Sequence, residues 1–131
     1  MAIATCIIAP ENIVTRVCAE ATPIPKGTVM KLTDTNTVQA SAASNDPYGG
    51  ITIEEFKGGE GLTHVACAYN DGVFNMTTTA VAIGIGVPVS IGGANAVRAL
   101  IEADVALGCK VGVAEEVRTG TDLIRVRLLG A

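Results

Sequence analysis

Short β-type runs broken by glycine and turn residues, from one end to the other, are the feature that most limits what this chain can become. Thr28-Val29-Met30-Lys31-Leu32-Thr33, Gly50-Ile51-Thr52-Ile53-Glu54, Gly86-Val87-Pro88-Val89-Ser90-Ile91 and Ile124-Arg125-Val126-Arg127-Leu128 are separated by clusters of Gly, Pro, Asn and Asp. That spacing predicts an all-β fold. About eight to eleven short strands emerge, which suits a small β-sandwich or a barrel-like domain. The 15 glycines fit such a chain, because glycine reaches the positive φ of tight turns without steric cost. One stretch, residues 96–107, leaves room for at most one short helix. Val97, Leu100, Ile101 and Val105 approach helical spacing, while Val97, Ala99 and Ile101 alternate. We read a strand over 96–101 and a short helical turn over 102–107.

The material for a core is thin. Hydrophobic residues make up 49% of the chain but aromatic residues only 3%, the set being Tyr48, Phe56, Tyr69 and Phe74. Alanine, valine and isoleucine must do the packing, and each buries less area than a ring. A thin sheet of this kind gains from burying a further face against a partner, which points to oligomerisation or docking. With 131 residues the chain reads as an N-terminal arm over residues 1–10 and a single β-domain over 11–131. The net charge is −4 with no cluster of Lys and Arg, which argues against nucleic-acid binding through a basic patch. No run approaches the roughly 20 apolar residues of a membrane helix, and Met1-Ala2-Ile3-Ala4-Thr5-Cys6-Ile7-Ile8 lacks the cationic start of a signal peptide. The expectation is a soluble protein made in the cytoplasm.

Along the chain, Thr22-Pro23-Ile24-Pro25-Lys26-Gly27 is a rigid loop, since its prolines cannot donate to a ladder. Asp34-Thr35-Asn36 predicts a hairpin turn into residues 37–42, and Asn70-Asp71-Gly72 predicts another, returning as Val73-Phe74-Asn75-Met76. Pro88 marks an edge or the start of a strand. Thr119-Gly120-Thr121-Asp122 turns into the last strand, where Ile124, Val126 and Leu128 face inward and Arg125 and Arg127 outward. No fixed-period repeat is evident.

Candidate chemistry fails on spacing and facing. Gly84-Ile85-Gly86 lacks the third glycine of a dinucleotide-binding loop, because position 89 is valine. Glu54-Glu55 and Glu115-Glu116 are adjacent carboxylates that point to opposite strand faces, and they read as solvated surface charge. His64 could pair with Cys67, but three positions along a strand place the two on opposite faces. Cys6, Cys18, Cys67 and Cys109 form no close ligand pair and read as buried free thiols, although two disulfides are arithmetically open. The sequence thus offers no catalytic, cofactor or metal residues, and the expectation is a protein that is not an enzyme. The alternative is a small β-barrel ligand-binding module or enzyme, with His64, Glu54 or Asp71 lining a pocket built from distant strands.

Taken in order, several pieces look familiar. Pro25-Lys26-Gly27-Thr28-Val29-Met30-Lys31-Leu32 enters a strand, and Gly50-Ile51-Thr52-Ile53-Glu54-Glu55 ends one in paired acids. Asp71-Gly72-Val73-Phe74 leads to Gly86-Val87-Pro88-Val89, and Leu107-Gly108-Cys109-Lys110-Val111-Gly112-Val113-Ala114-Glu115 precedes Leu123-Ile124-Arg125-Val126-Arg127-Leu128. From about residue 20 to the end, this order resembles the small capsid decoration proteins of tailed bacteriophages, also called cement or head-stabilising proteins. The resemblance implies a structural virion protein without catalytic residues or cofactor, bound in many copies to the outer surface of an icosahedral head. Its partners would be the major capsid protein, whose subunits it bridges and stabilises, and itself, as a homotrimer or a dimer, with neither nucleic acid nor membrane. Another virion component, of the tail or the head–tail joint, is the remaining alternative. The apolar run Ala2, Ile3, Ala4, Thr5, Cys6, Ile7 and Ile8 ahead of Pro10 is the candidate for contact with capsid or neighbour, either as a docking arm or as an edge strand of the same domain.

Overall fold

The computed structural model describes residues 4–43, 46–78, 83–100, 110–117 and 123–128. Among these residues there are eleven strands and no helix: β1 (Thr5–Ile8), β2 (Ile13–Val17), β3 (Val29–Asp34), β4 (Thr37–Ala40), β5 (Tyr48–Thr52), β6 (His64–Ala68), β7 (Val73–Thr78), β8 (Pro88–Gly93), β9 (Ala96–Ala99), β10 (Lys110–Ala114) and β11 (Leu123–Leu128). The fold is all-β, as expected, and of the two architectures it is the barrel. The helical spacing at the start of 96–107 is overridden by pairing, since Val97 and Ala99 sit opposite Ile91 and Val89 in the β8–β9 ladder. The helical turn read over 102–107 and the turn at 119–122 lie outside the described residues.

Two five-stranded barrels follow one another. The first closes in the order β2-β4-β3-β5-β6. The second closes in the order β7-β9-β8-β10-β11, with β1 laid outside the ring against β7. Each strand of the second barrel occupies the place of the strand five earlier, and the same pair in each ring, β2–β4 and β7–β9, is parallel. The expectation of no repeat is therefore corrected: the chain is a tandem of one topology, offset by about 60 residues.

The correspondence reaches single residues. Gly27 and Gly86 share a positive φ of 84° and 79°, and Asn36 and Asn95 share one of 52° and 54°. Both β3–β4 and β8–β9 slip register just before that asparagine, between Leu32 and Asp34 and between Ile91 and Gly93. Glu54 Oε1 accepts the Ala66 N–H at 3.2 Å, and Glu116 Oε1 accepts the Arg125 N–H at 2.9 Å at the equivalent corner. One carboxylate of each acid pair thus caps a strand from the surface: Glu54, Glu55 and Glu115 are exposed and Glu116 is half-buried, in keeping with the reading of surface charge.

Glycine is required at a second matched place. A Cβ on Gly50, whose φ is +128°, would stand 2.8 Å from Cys67 Cβ and 3.0 Å from the Ala68 carbonyl oxygen. A Cβ on Gly112 would run into the Arg127 carbonyl. Arg127 corresponds to Ala68, so both barrels draw the same two strands together over a missing side chain.

Strand alternation sorts the core. Inside the first barrel lie Cys18, Ile24, Met30, Val38, Phe56, Val65 and Cys67. The matching interior positions of the second include Ile83, Val89, Val97, Ile124 and Val126. Alternate residues of the first barrel, Val29, Ile51 and Ala68, point outward and join that second cluster. Each is fully buried, and burial of Val29 or Ile51 contributes about 1.5–3 kcal/mol. The barrels are therefore joined through apolar packing as well as through the chain. Asn70-Asp71-Gly72 is the crossing between them, not a hairpin turn, because β6 pairs with β2 and β5 while β7 pairs with β1, β9 and β11.

Candidate functional site: an N-terminal clasp across two barrels

The N-terminal segment touches both barrels in turn. Ala4 is buried, and its N–H donates to the Gly27 carbonyl of the first barrel at 2.8 Å. β1 then runs antiparallel to β7 of the second, with Thr5 opposite Asn75, Cys6 opposite Phe74 and Ile8 opposite Val73. Next, the Glu11 and Asn12 N–H groups donate to Asp71 Oδ2 at 2.8 and 3.3 Å, and the Gly72 N–H to Oδ1 at 2.7 Å. The Glu11 N–H, helped by those of Gly72 and Asn12, holds the Asp71 carboxyl below its ordinary value. Of the segment expected to make contacts, Thr5–Ile8 is thus an edge strand and Ala4 an anchor, while Ala2 and Ile3 lie outside the described residues.

Between this clasp and the first barrel runs an apolar groove of about 250 Å³, walled by Cys6, Pro10, Ile13, Ile53 and Phe74, with Lys26 also lining it. Large apolar side chains flank it in the open: Ile7 is 42% exposed, Ile8 52% and Ile13 54%. Such residues on one segment mark a surface suited to contact.

The two barrels differ at the edge of their first strand. In the second, β7 presents Val73 and Asn75 to β1, and beyond them Thr77 and Thr78 lie in register with Ala96 and Val97 of β9. In the first, β2 meets β4 at Val17, whose N–H donates to the Asn36 carbonyl at 2.8 Å. The Thr15 carbonyl accepts Asn36 Nδ2 at 3.2 Å. By the strand's alternation, the Thr15 N–H and both backbone groups of Ile13 face the same way, and among the described residues nothing pairs with them. No sequence signal marks this, because strand patterns do not name partners.

The residues weighed for chemistry are each engaged locally. His64 is exposed, with Nδ1 3.2 Å from Thr63 Oγ1; Glu54 caps Ala66; Asp71 anchors the clasp. None of the three lines the groove. Cys18 and Cys67 are buried free thiols, as read, but Cys6 is exposed, and Cys109 lies outside the described residues. Burial pushes the Cys67 thiol up to about 12 and the Cys18 thiol above its ordinary value. Burial also raises Tyr48, whose hydroxyl donates to the Tyr69 carbonyl at 3.0 Å and whose ring stacks on Tyr69 at 5.1 Å. Among the described residues no group of three or more His, Cys, Asp or Glu is placed to hold a metal ion, and no helix is long and apolar enough to cross a membrane.

No protein-family model matches the sequence. No curated protein matches it either. Among solved structures, the head fiber gp8.5 N base of bacteriophage phi29 is similar, with a TM-score of 0.56 at 13% sequence identity over 92% of this chain and 97% of that one. At that identity the likeness is one of fold: this chain and the phi29 head fiber base share an architecture from nearly end to end.

Proposed function

We propose that this chain is a structural protein of a tailed-bacteriophage virion, seated on the outer surface of the head, where it bridges major capsid subunits and stabilises the shell. It works by contact and not by catalysis, as a homo-oligomer, with a trimer as the first expectation and a dimer as the second. The observation that carries the reading is the fold shared over 92% of this chain with a phage head fiber base, a match that also takes up 97% of that base. The clasp and its groove support it by offering an exposed apolar surface, Ile7, Ile8 and Ile13. Repetition over many equivalent sites on a shell makes weak contacts of this kind collectively strong.

The test is add-back. Heads assembled without this protein are mixed with the purified chain, then examined by electron microscopy and by heat or low-salt challenge. The expected outcome is density at regular positions on the outer surface and greater resistance to disruption. Heads that take up none of it, or density confined to the tail, would overturn the reading.

A further inference from the structure

We propose that the open edge of β2 at Ile13 and Thr15 receives the β1 strand of a second copy of this chain. Ile13 and Thr15 hold the places in the first barrel that Val73 and Asn75 hold in the second, and there the same edge is covered by an apolar antiparallel strand, β1. The first barrel has the edge without the strand. An unpaired row of backbone groups is a template for a further strand.

The chain also supplies the matching half. The Gly72 carbonyl accepts the Leu128 N–H at 3.0 Å, so the even residues of β7 face β11 and Val73 and Asn75 face β1. Thr5 and Ile8 answer those two, which turns the N–H and carbonyl of Cys6 outward, where nothing pairs with them among the described residues. β1 can therefore keep its place on β7 and present its outer edge to a neighbour. Exposed isoleucines flank both edges, Ile7 and Ile8 on one and Ile13 on the other. One copy provides both surfaces but leaves each unpaired, so the pairing runs between copies. Because the two surfaces differ, the contact is heterologous, and a closed ring leaves neither edge free.

The inference deepens the homo-oligomeric part of the proposed function and stands apart from its head-binding part. The experiment measures the mass of the wild-type chain in solution by light scattering and the exchange of individual backbone amides by NMR. Two variants follow: Thr15→Pro, which removes the outward donor while Val14 and Arg16 keep facing β6, and Ile13→Glu, at a side chain 54% exposed. The expected result is a multimer whose Thr15 amide is protected, with both variants reduced to single-copy mass. In Ile13→Glu the Thr15 amide should exchange at least about tenfold faster. Should Thr15→Pro fail to fold, Ile13→Glu decides alone. A wild-type monomer, multimers that survive Ile13→Glu, or a Thr15 amide protected at single-copy mass would each overturn the proposal. Variants that are monomeric yet still bind heads leave it standing and correct only the oligomeric part of the function; a multimer that ignores heads overturns the function and not this contact.

Discussion

The same turn is used in opposite ways by the two barrels. In the first, Asn36 is exposed, and its side chain accepts from Arg16 Nη1 at 3.0 Å and donates to the Thr15 carbonyl. In the second, Asn95 keeps the left-handed backbone of its counterpart but is only 4% exposed. Its Oδ1 accepts the Val29 N–H of the first barrel at 2.7 Å, and its N–H donates to Ser41 Oγ at 3.0 Å. One loop shape thus serves as a surface cap in one half and as the lock between halves in the other. The receptor also differs. The residue matching Val29 is Pro88, which has no N–H to offer, so the second barrel has no counterpart of the donor that Asn95 engages on the first.

The largest expected effect breaks the shared element of the comparison. Gly112→Ala places a Cβ against the Arg127 carbonyl, a backbone atom of the neighbouring strand, and Gly50→Ala meets both a crowded site and a φ of +128°. Each should cost about 3 kcal/mol or more in urea unfolding. If either is accepted within about 1 kcal/mol, the matched close approach is not a requirement of the barrel.

Next comes a difference confined to the first barrel. Its interior holds the thiols Cys18 and Cys67, where the second has Thr78 and Val126. Burial raises the folded-state value of Cys67 from 9.0 to about 12, so the unfolded chain loses its proton first. The stability that depends on the neutral thiol is complete below about pH 9 and declines between there and about pH 12, by a few kcal/mol at most. Cys67→Val, which installs the counterpart residue, should flatten part of that alkaline decline in thermal melts. An unchanged slope would place the alkaline sensitivity elsewhere, with Cys18 and Tyr48 the next groups to vary.

These comparisons also bound what the sequence makes legible. Turn chemistry located Asp34-Thr35-Asn36, and alternation located the last strand, where Ile124, Val126 and Leu128 are fully buried. Both signals are local, one in backbone conformation and the other in alternation. Asn70-Asp71-Gly72 misled for the same reason: its residues specify a change of direction and say nothing about which strands lie on either side. The repeat stayed hidden because it is held by scattered positions, such as Gly27 with Gly86, Asn36 with Asn95 and Gly50 with Gly112, while the positions between carry different side chains. The clasp was half visible. The apolar run before Pro10 pointed to an edge or an arm, but its partner β7 lies about half the chain away.

A smaller effect separates the two asparagines. Asn95→Ala strands the buried Val29 N–H and forces alanine into a left-handed backbone, at about 2–3 kcal/mol. Asn36→Ala meets the backbone cost with only exposed partners to lose, at about 1 kcal/mol. Glycine divides the two causes: Asn36→Gly should be close to neutral, while Asn95→Gly still lacks the acceptor for Val29. Equal losses for the two glycine variants in chemical denaturation would mean that Asn95 does not lock the barrels.

The smallest effect lies at the clasp. Asp71 is half-buried at the surface, so its contribution is modest, but its direction is fixed. The Glu11 N–H, with those of Gly72 and Asn12, depresses the folded-state value below the ordinary 3.8. A depressed carboxylate contributes stability above the unfolded value and loses it as pH falls through the folded one. Asp71→Asn keeps a side-chain oxygen but no charge, so the gap between wild type and variant should be present at neutral pH and shrink below about pH 4. Amide exchange places the effect. On acidification, after correction for the intrinsic rate, the Glu11 and Asn12 amides should lose protection before that of Val126, which lies in the second barrel's core. Simultaneous loss at all three would mean that the clasp and the barrel it crosses open together. In that case the N-terminal segment is part of the second barrel's fold, and not a strap laid over it.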